Sequence, residues 1–140
     1  MSDMSLFFAS NAAQPETESV PVSKRFKDAE GKPVRWQIRA ISEEENDALR
    51  ASSTRKAKQK NGVSVPETNM QEYLAKLTAA CVVFPNLQDA ELQKSYGVRG
   101  ADAVVRKMLL PGEYTNLLAK IQEINGFDED INELASEVKN

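Results

Sequence analysis

The sequence predicts an α+β fold that is mostly α, an N-terminal antiparallel β-hairpin packed on a bundle of about four to five helices. Two patterns carry this expectation. Apolar residues recur at steps of three and four through residues 70–84, 101–109 and 114–124, the spacing of a single helix face. Val34, Trp36, Ile38 and Ala40 instead alternate with Arg35, Gln37 and Arg39, the pattern of a half-buried strand. Composition sets the class: 140 residues, 41% hydrophobic and 28% charged, lie near the average of soluble globular domains and suffice for one core.

The same figures exclude several roles. A net charge of -3 provides no general attraction for nucleic acid or anionic lipid. The single cysteine rules out an internal disulfide and suits a reducing compartment. No apolar run approaches the roughly 20 residues needed to span a bilayer. The opening MSDMSLFFASN has no basic n-region and only a few consecutive apolar residues, so a secretion signal is not expected. The expected location is the cytoplasm.

Residues 1–19 read as a flexible tail ahead of a single domain over residues 20–140. Leu6, Phe7 and Phe8 are followed by the polar NAAQPETES, too little apolar surface to offset the entropy of ordering. A loosely attached terminus is expected, with a docking peptide as the alternative. The hairpin is expected over 20–41, its first strand marked by Val20, Val22 and Phe26 and its turn by KDAEGK, where Asp28 and Gly31 suit a reversal. Pro33 is tolerated at the opening of the second strand. An isolated hairpin is marginal, so Trp36 and Ile38 should pack on helices, Trp36 as a core residue rather than a binding aromatic.

Helices are expected to fill 42–140. Ser42 and Glu45 form a capping box, and Glu43, Glu44, Glu45 and Asp47 place negative charge at the positive end of the helix dipole. That role accounts for the carboxylates without a metal or acid–base chemistry, the chain having no histidine. Residues 51–67 then read as a flexible basic loop. Arg55, Lys56, Lys58 and Lys60 could touch phosphates, but no aromatic residue is interleaved for stacking, so a solvated loop is the expectation.

The central helix spans 68–85. Met70, Tyr73, Leu74, Leu77, Ala80, Cys81 and Phe84 form its stripe, Thr68 and Gln71 a capping box, and Pro85 its stop. Tyr73, Leu74, Leu77, Cys81 and Phe84 join Trp36 as the predicted core. Leu87, Ala90 and Leu92 follow in a short helix capped near Asp89 and ending by Tyr96-Gly97. Gly97 and Gly100 lack the lysine-serine ending of a phosphate loop and follow no strand, so a tight connection is expected. A helix over 101–110 presents Ala101, Val104, Val105, Met108 and Leu109. Pro111 suits the first turn of the next, 113–125, striped by Tyr114, Leu117, Leu118, Ile121 and Ile124 and ended by Asn125-Gly126. Asp128 caps an expected last helix with Ile131, Leu134, Ala135 and Val138 on one side. Five acidic residues against one lysine leave -4 over 127–140.

No chemistry is legible. Cys81 lies on an apolar stripe with no histidine to activate it, so a buried structural thiol is expected. No catalytic triad, metal-ligand spacing, Walker sequence or dinucleotide fingerprint is present. The expectation is a non-enzyme with docking surfaces, without cofactor or metal.

The segments RFKDAEGKPVRWQIRAIS, YLAKLTAACVVFPNLQDAELQKSYGV and MLLPGEYTNLLAKIQEINGF resemble the phage XkdN-like tail assembly chaperones of Gram-positive bacteria and their prophages. The likeness runs from about Leu6 to the C-terminus and is weakest over 51–67. Its most specific pieces are PNLQDAELQKSYGV, LLPGEY and the closing INGFDEDINELASEVKN. The resemblance implies a protein that binds the long, helix-rich tape measure protein, keeps it soluble and helps recruit tail tube subunits, and that is absent from the finished particle. It also implies a longer form of the same chain, made by frameshifting, as a further partner. It transfers no catalytic or binding residue.

A client helix with apolar stripes needs a matching apolar groove. The candidate partner-binding residues are Leu117, Leu118 and Ile121 on one helix and Phe127, Ile131 and Leu134 at the end of the chain. The acidic rim from Asp128 to Glu137 would speed association with basic client segments. Closure of the chain's own core competes with this reading, more strongly for 113–125. The rival functions are a minor structural tail protein and a small nucleic-acid adaptor using residues 55–60.

Overall fold

The computed structural model describes residues 3–13 and 17–127. In chain order the elements are a 3-10 turn (Asp3–Phe7), β1 (Glu18–Val20), β2 (Trp36–Ile38), α1 (Glu43–Ser52), β3 (Thr54–Lys58) and β4 (Ser64–Thr68). They continue as α2 (Met70–Cys81), β5 (Val82–Phe84), α3 (Ala90–Ser95), α4 (Ala101–Met108) and α5 (Pro111–Ile124). The fold is α+β and mostly α, as the sequence predicts.

Helix α2 is the hub, contacting α1, α4, α5 and β5. Tyr73, Leu77 and Cys81, one turn apart, all face inward. They meet Val104 and Val105 of α4, Leu117 and Ile121 of α5, and Trp36 and Ile38 of β2 in one core cluster. Each such side chain, fully buried, contributes about 1.5–3 kcal/mol over an exposed one. Leu74 packs at the margin of that cluster, whereas Met70 stays exposed.

β2 is the middle strand of an antiparallel sheet ordered β1-β2-β5. The N-terminal hairpin therefore exists, but its ladder is short, starting at Glu18 and pairing Val20 with Trp36. Pro21 cannot donate to the ladder, so pairing lapses after Val20. It resumes only at a bridge between Lys27 and Pro33, beside a turn closed by the Asp28 carboxylate on the amides of Glu30 and Lys32. Val22 and Phe26 pack against the core from this loop.

Three expectations need correction. Residues 51–67 are not a loop after α1: β3 and β4 pair from Thr54–Thr68 to Lys58–Ser64. The reversal is made at Asn61-Gly62, with Gly62 at φ 82, a left-handed value that asparagine-glycine pairs favour in hairpin turns. Thr68 belongs to that hairpin and bonds Thr54 across it, so the cap of α2 is Asn69, whose side chain accepts from the Glu72 amide. Helix α2 also ends at Cys81 rather than running to Pro85. Val82–Phe84 is extended and joins β2, which leaves Phe84 50% exposed instead of in the core. Proline disfavours helix at the residue before it, and two consecutive valines suit a strand.

The remaining punctuation is as expected except at α1, where only half of the capping box forms. Ser42 caps α1 by accepting from the Glu45 amide, while the Glu45 carboxylate turns to Arg39. Asp89 caps α3, and Pro111 opens α5. The Gly97–Gly100 connection is tight: the Gln93 amide donates to Leu87 and accepts from the Gly100 N–H, both at 2.9 Å. Gly100 sits at φ 99, and a Cβ there would lie 3.0 Å from the Asp102 carboxylate. The expected last helix, with Asp128, Ile131, Leu134, Ala135 and Val138, lies outside the described residues.

Candidate docking surface

The apolar surface that could receive a partner is built where three elements fail to close over β2. Val34 and Trp36 form its floor, Phe84 and Pro85 one wall, and Leu92 of α3 with Tyr96, just past the end of that helix, the other. Phe26 and Met108 complete an open cleft of about 510 Å³, within the range of ligand-sized pockets. Trp36 and Met108 are buried beneath it, Phe26, Val34, Leu92 and Tyr96 are half-buried, and Phe84 stands half out of the protein. Exposed aromatic surface at the edge of an apolar hollow marks an interaction site more often than a lone exposed residue does.

Arg25 forms one rim. Its guanidinium lies 5.0 Å from the centre of the Phe26 ring. It donates to the Met108 carbonyl at 2.5 Å and to Glu113 Oε1 at 2.8 Å. That bond, joined by Ser23 and the Leu110 amide, holds the Glu113 carboxyl down at about 2. The guanidinium is raised in turn, chiefly by Glu113. A second apolar cleft of about 530 Å³ lies against the same ion pair, bounded by Pro21, Val22, Pro33 and the exposed Leu110. The Arg25–Glu113 pair thus tethers the loop after β1 to the start of α5.

The sequence-predicted docking residues fall into three groups. Leu117 and Ile121 are 2% and 0% exposed and belong to the core, so they are not available to a partner. Leu118 is half-buried and Phe127 is 51% exposed just past the end of α5. Ile131 and Leu134 lie outside the described residues. Of the predicted core residues, Trp36, Tyr73, Leu77 and Cys81 are buried, Leu74 is half-buried, and Phe84 belongs to the cleft. The sequence places Leu92 on a short helix and Tyr96 at its end. What hid the cleft was the assignment of Phe84 to a helix.

Reactive chemistry is not assembled around these surfaces. Burial pushes the Cys81 thiol up, and Asn125 Nδ2 approaches its sulfur at 3.5 Å. Asn125 also accepts from the Ile41 amide at 2.9 Å, so it ties the end of α5 to the strand–helix link. Among the described residues no cluster of Cys, Asp and Glu could hold a metal, and no helix is long and apolar enough to cross a membrane. The basic side of the β3–β4 hairpin is partly neutralised, Arg55 making two bonds to the Glu72 carboxylate at 2.7 and 3.2 Å.

Comparison with known proteins adds the context. Residues 4–139 match the family described as "Phage XkdN-like tail assembly chaperone protein, TAC". The YqbN protein of Bacillus subtilis (strain 168) is 35% identical over 139 residues, covering 99% of this chain and 93% of that protein. The phage-like element PBSX protein XkdN of the same strain is 30% identical over 139 residues, covering 99% of this chain and 94% of that protein. The crystal structure of YqbN superimposes with a TM-score of 0.77 at 31% identity, covering 91% of this chain and 99% of that one.

Proposed function

The chain belongs to the phage XkdN-like tail assembly chaperones, and from that premise we propose that it binds the tape measure protein, keeps it soluble and helps recruit tail tube subunits around it. The observation that carries this reading is the Phe84 cleft. A tape measure helix has apolar residues at i, i+3, i+4 and i+7, and an open apolar hollow flanked by Phe84 and Tyr96 accepts such a ridge. Phe127 at the end of α5, continued by Ile131 and Leu134, offers a second contact for the same client, with acidic neighbours that favour basic client segments.

The chaperone acts inside the host and leaves before the particle is complete, and a frameshifted longer form joins it during assembly. Mass spectrometry of purified particles should then lack its peptides; their presence at tail stoichiometry would make it a minor structural protein. Co-expression with a tape measure fragment tests the binding. Wild type should hold the fragment in the soluble fraction, and Phe84→Asp should release most of it to the pellet. Retention by Phe84→Asp together with loss on Ile131→Asp plus Leu134→Asp would move the site to the chain end. Retention by both sets would end the proposal.

A further inference from the structure

The β3–β4 hairpin is a two-stranded ribbon, none of whose residues belongs to the core cluster, and its two edges differ. Its register runs from Thr54–Thr68 to Lys58–Ser64. The Asn69 N–H donates to the Ser53 carbonyl at one end, and the Gln59 N–H to the Val63 carbonyl at the other. In an antiparallel ladder with those ends, Arg55 and Ala57 bond inward to Glu67 and Val65. Lys56 and Lys58 of β3, and Ser64 and Pro66 of β4, therefore turn their backbone groups outward. Along β4 that row is interrupted, because Pro66 has no N–H to offer. Along β3 it is complete: among the described residues, the N–H and C=O of Lys56 and Lys58 have no hydrogen-bond partner.

We propose that β3 receives an extended acidic segment of a partner protein as an added antiparallel strand, with alternate carboxylates meeting Lys56 and Lys58.

Both lysines lie on one face of β3, about 7 Å apart, the spacing of alternate residues in a facing strand. Neither they nor Lys60 forms an ion pair among the described residues, whereas Arg55 is held by Glu72. Residues 54–68 carry four basic residues and one acidic, a net of +3 on a chain of net -3. Lysines on a free edge deter pairing with a like strand. A second copy in full antiparallel overlap would set Lys56 against Lys56, so the charge selects an acidic partner over self-association. On the opposite face Ala57 and Val65 offer a shallow apolar contact to the residues between the carboxylates. Nucleic acid fits less well. It has no donors and acceptors alternating at strand spacing, and residues 54–68 hold no aromatic side chain for stacking. A two-stranded ribbon alone is marginal in water, and a third strand supplies the pairing it lacks. The edge is also separate from the Phe84 cleft, since α2 runs from Asn69 after β4 to Cys81 before β5.

The probe is a synthetic peptide of about ten residues alternating glutamate and valine, added to the full chain. Amide exchange measured by NMR at Lys56 and Lys58 should slow by at least about fivefold at saturation, with Ala57 and Val65 unchanged. The Kd should lie at about 10–500 μM and rise with salt. Lys56→Glu plus Lys58→Glu should abolish the slowing, while protected Ala57 and Val65 amides show the hairpin intact. Methylating the glutamate amides of the peptide keeps its charge but removes its donors, and should abolish binding as well. No slowing at about 5 mM peptide, or equal binding by the methylated peptide, overturns the proposal. So does slowing by a duplex RNA that exceeds slowing by the peptide, which would make the hairpin a nucleic-acid site.

Discussion

The Tyr73 hydroxyl of α2 donates to the Asn46 side-chain oxygen of α1, and both residues are buried. Asn46 also donates to Glu43 at 3.3 Å, so a polar group inside the apolar contact of two helices is satisfied on both sides. No pattern of apolar residues reveals this bond, which fixes how α1 sits on α2.

Tyr73→Phe therefore leaves a buried acceptor unpaired. It should cost about 1–3 kcal/mol, a fall in Tm of about 3–10 °C. Asn46→Ala should cost a similar amount, and the double variant clearly less than the sum, as thermal unfolding followed by circular dichroism will show.

The Glu113 carboxyl lies near 2 when folded against an ordinary 4.5, chiefly because of Arg25. The unfolded chain binds a proton there first. Its stabilising contribution is thus complete above 4.5 and lost as pH falls towards 2. Glu72, held near 2 by Arg55 and then Lys76, behaves likewise. The urea midpoint should drop between pH 5 and 3, and Glu113→Gln should be less stable at pH 7 but lose less over that interval.

Ile121 and Phe127 separate core from surface on α5 and its exit. Ile121→Ala should cost about 2–5 kcal/mol, since its side chain is fully enclosed. Phe127→Asp should change stability by less than about 1 kcal/mol. Equal losses in urea unfolding would show Phe127 to be part of the core.

Cys81 should be nearly inert in the folded protein. Its sulfur is buried and its thiol stays protonated, so reaction with a disulfide reagent at pH 8 should be at least about 100-fold slower than in denaturant. Asn125→Ala removes the group bonded to Ile41 and Cys81 and should speed that reaction.

Where a residue's neighbours in sequence decide its conformation, the sequence is sufficient. Asp89 caps the helix it precedes, Pro111 opens another, and the stripe of Ala101, Val104, Val105 and Met108 is buried as its spacing requires. The β3–β4 hairpin was harder because its residues are mostly polar and exposed. Its one strong signal, Asn61-Gly62, stands in a run of basic residues that reads as solvated chain.

By itself the sequence determined where the described helices lie and what caps α1 and α3, because periodicity and capping residues are local facts. Only the tertiary structure decided which apolar residues are spent on the core and which remain outside. Leu117 and Phe84 are alike in character, but β2 accepts Val82–Phe84 as its third strand and turns Phe84 out, while α2 covers Leu117. Burial depends on what packs opposite, and the periodicity of a strand does not say which distant segment it pairs with.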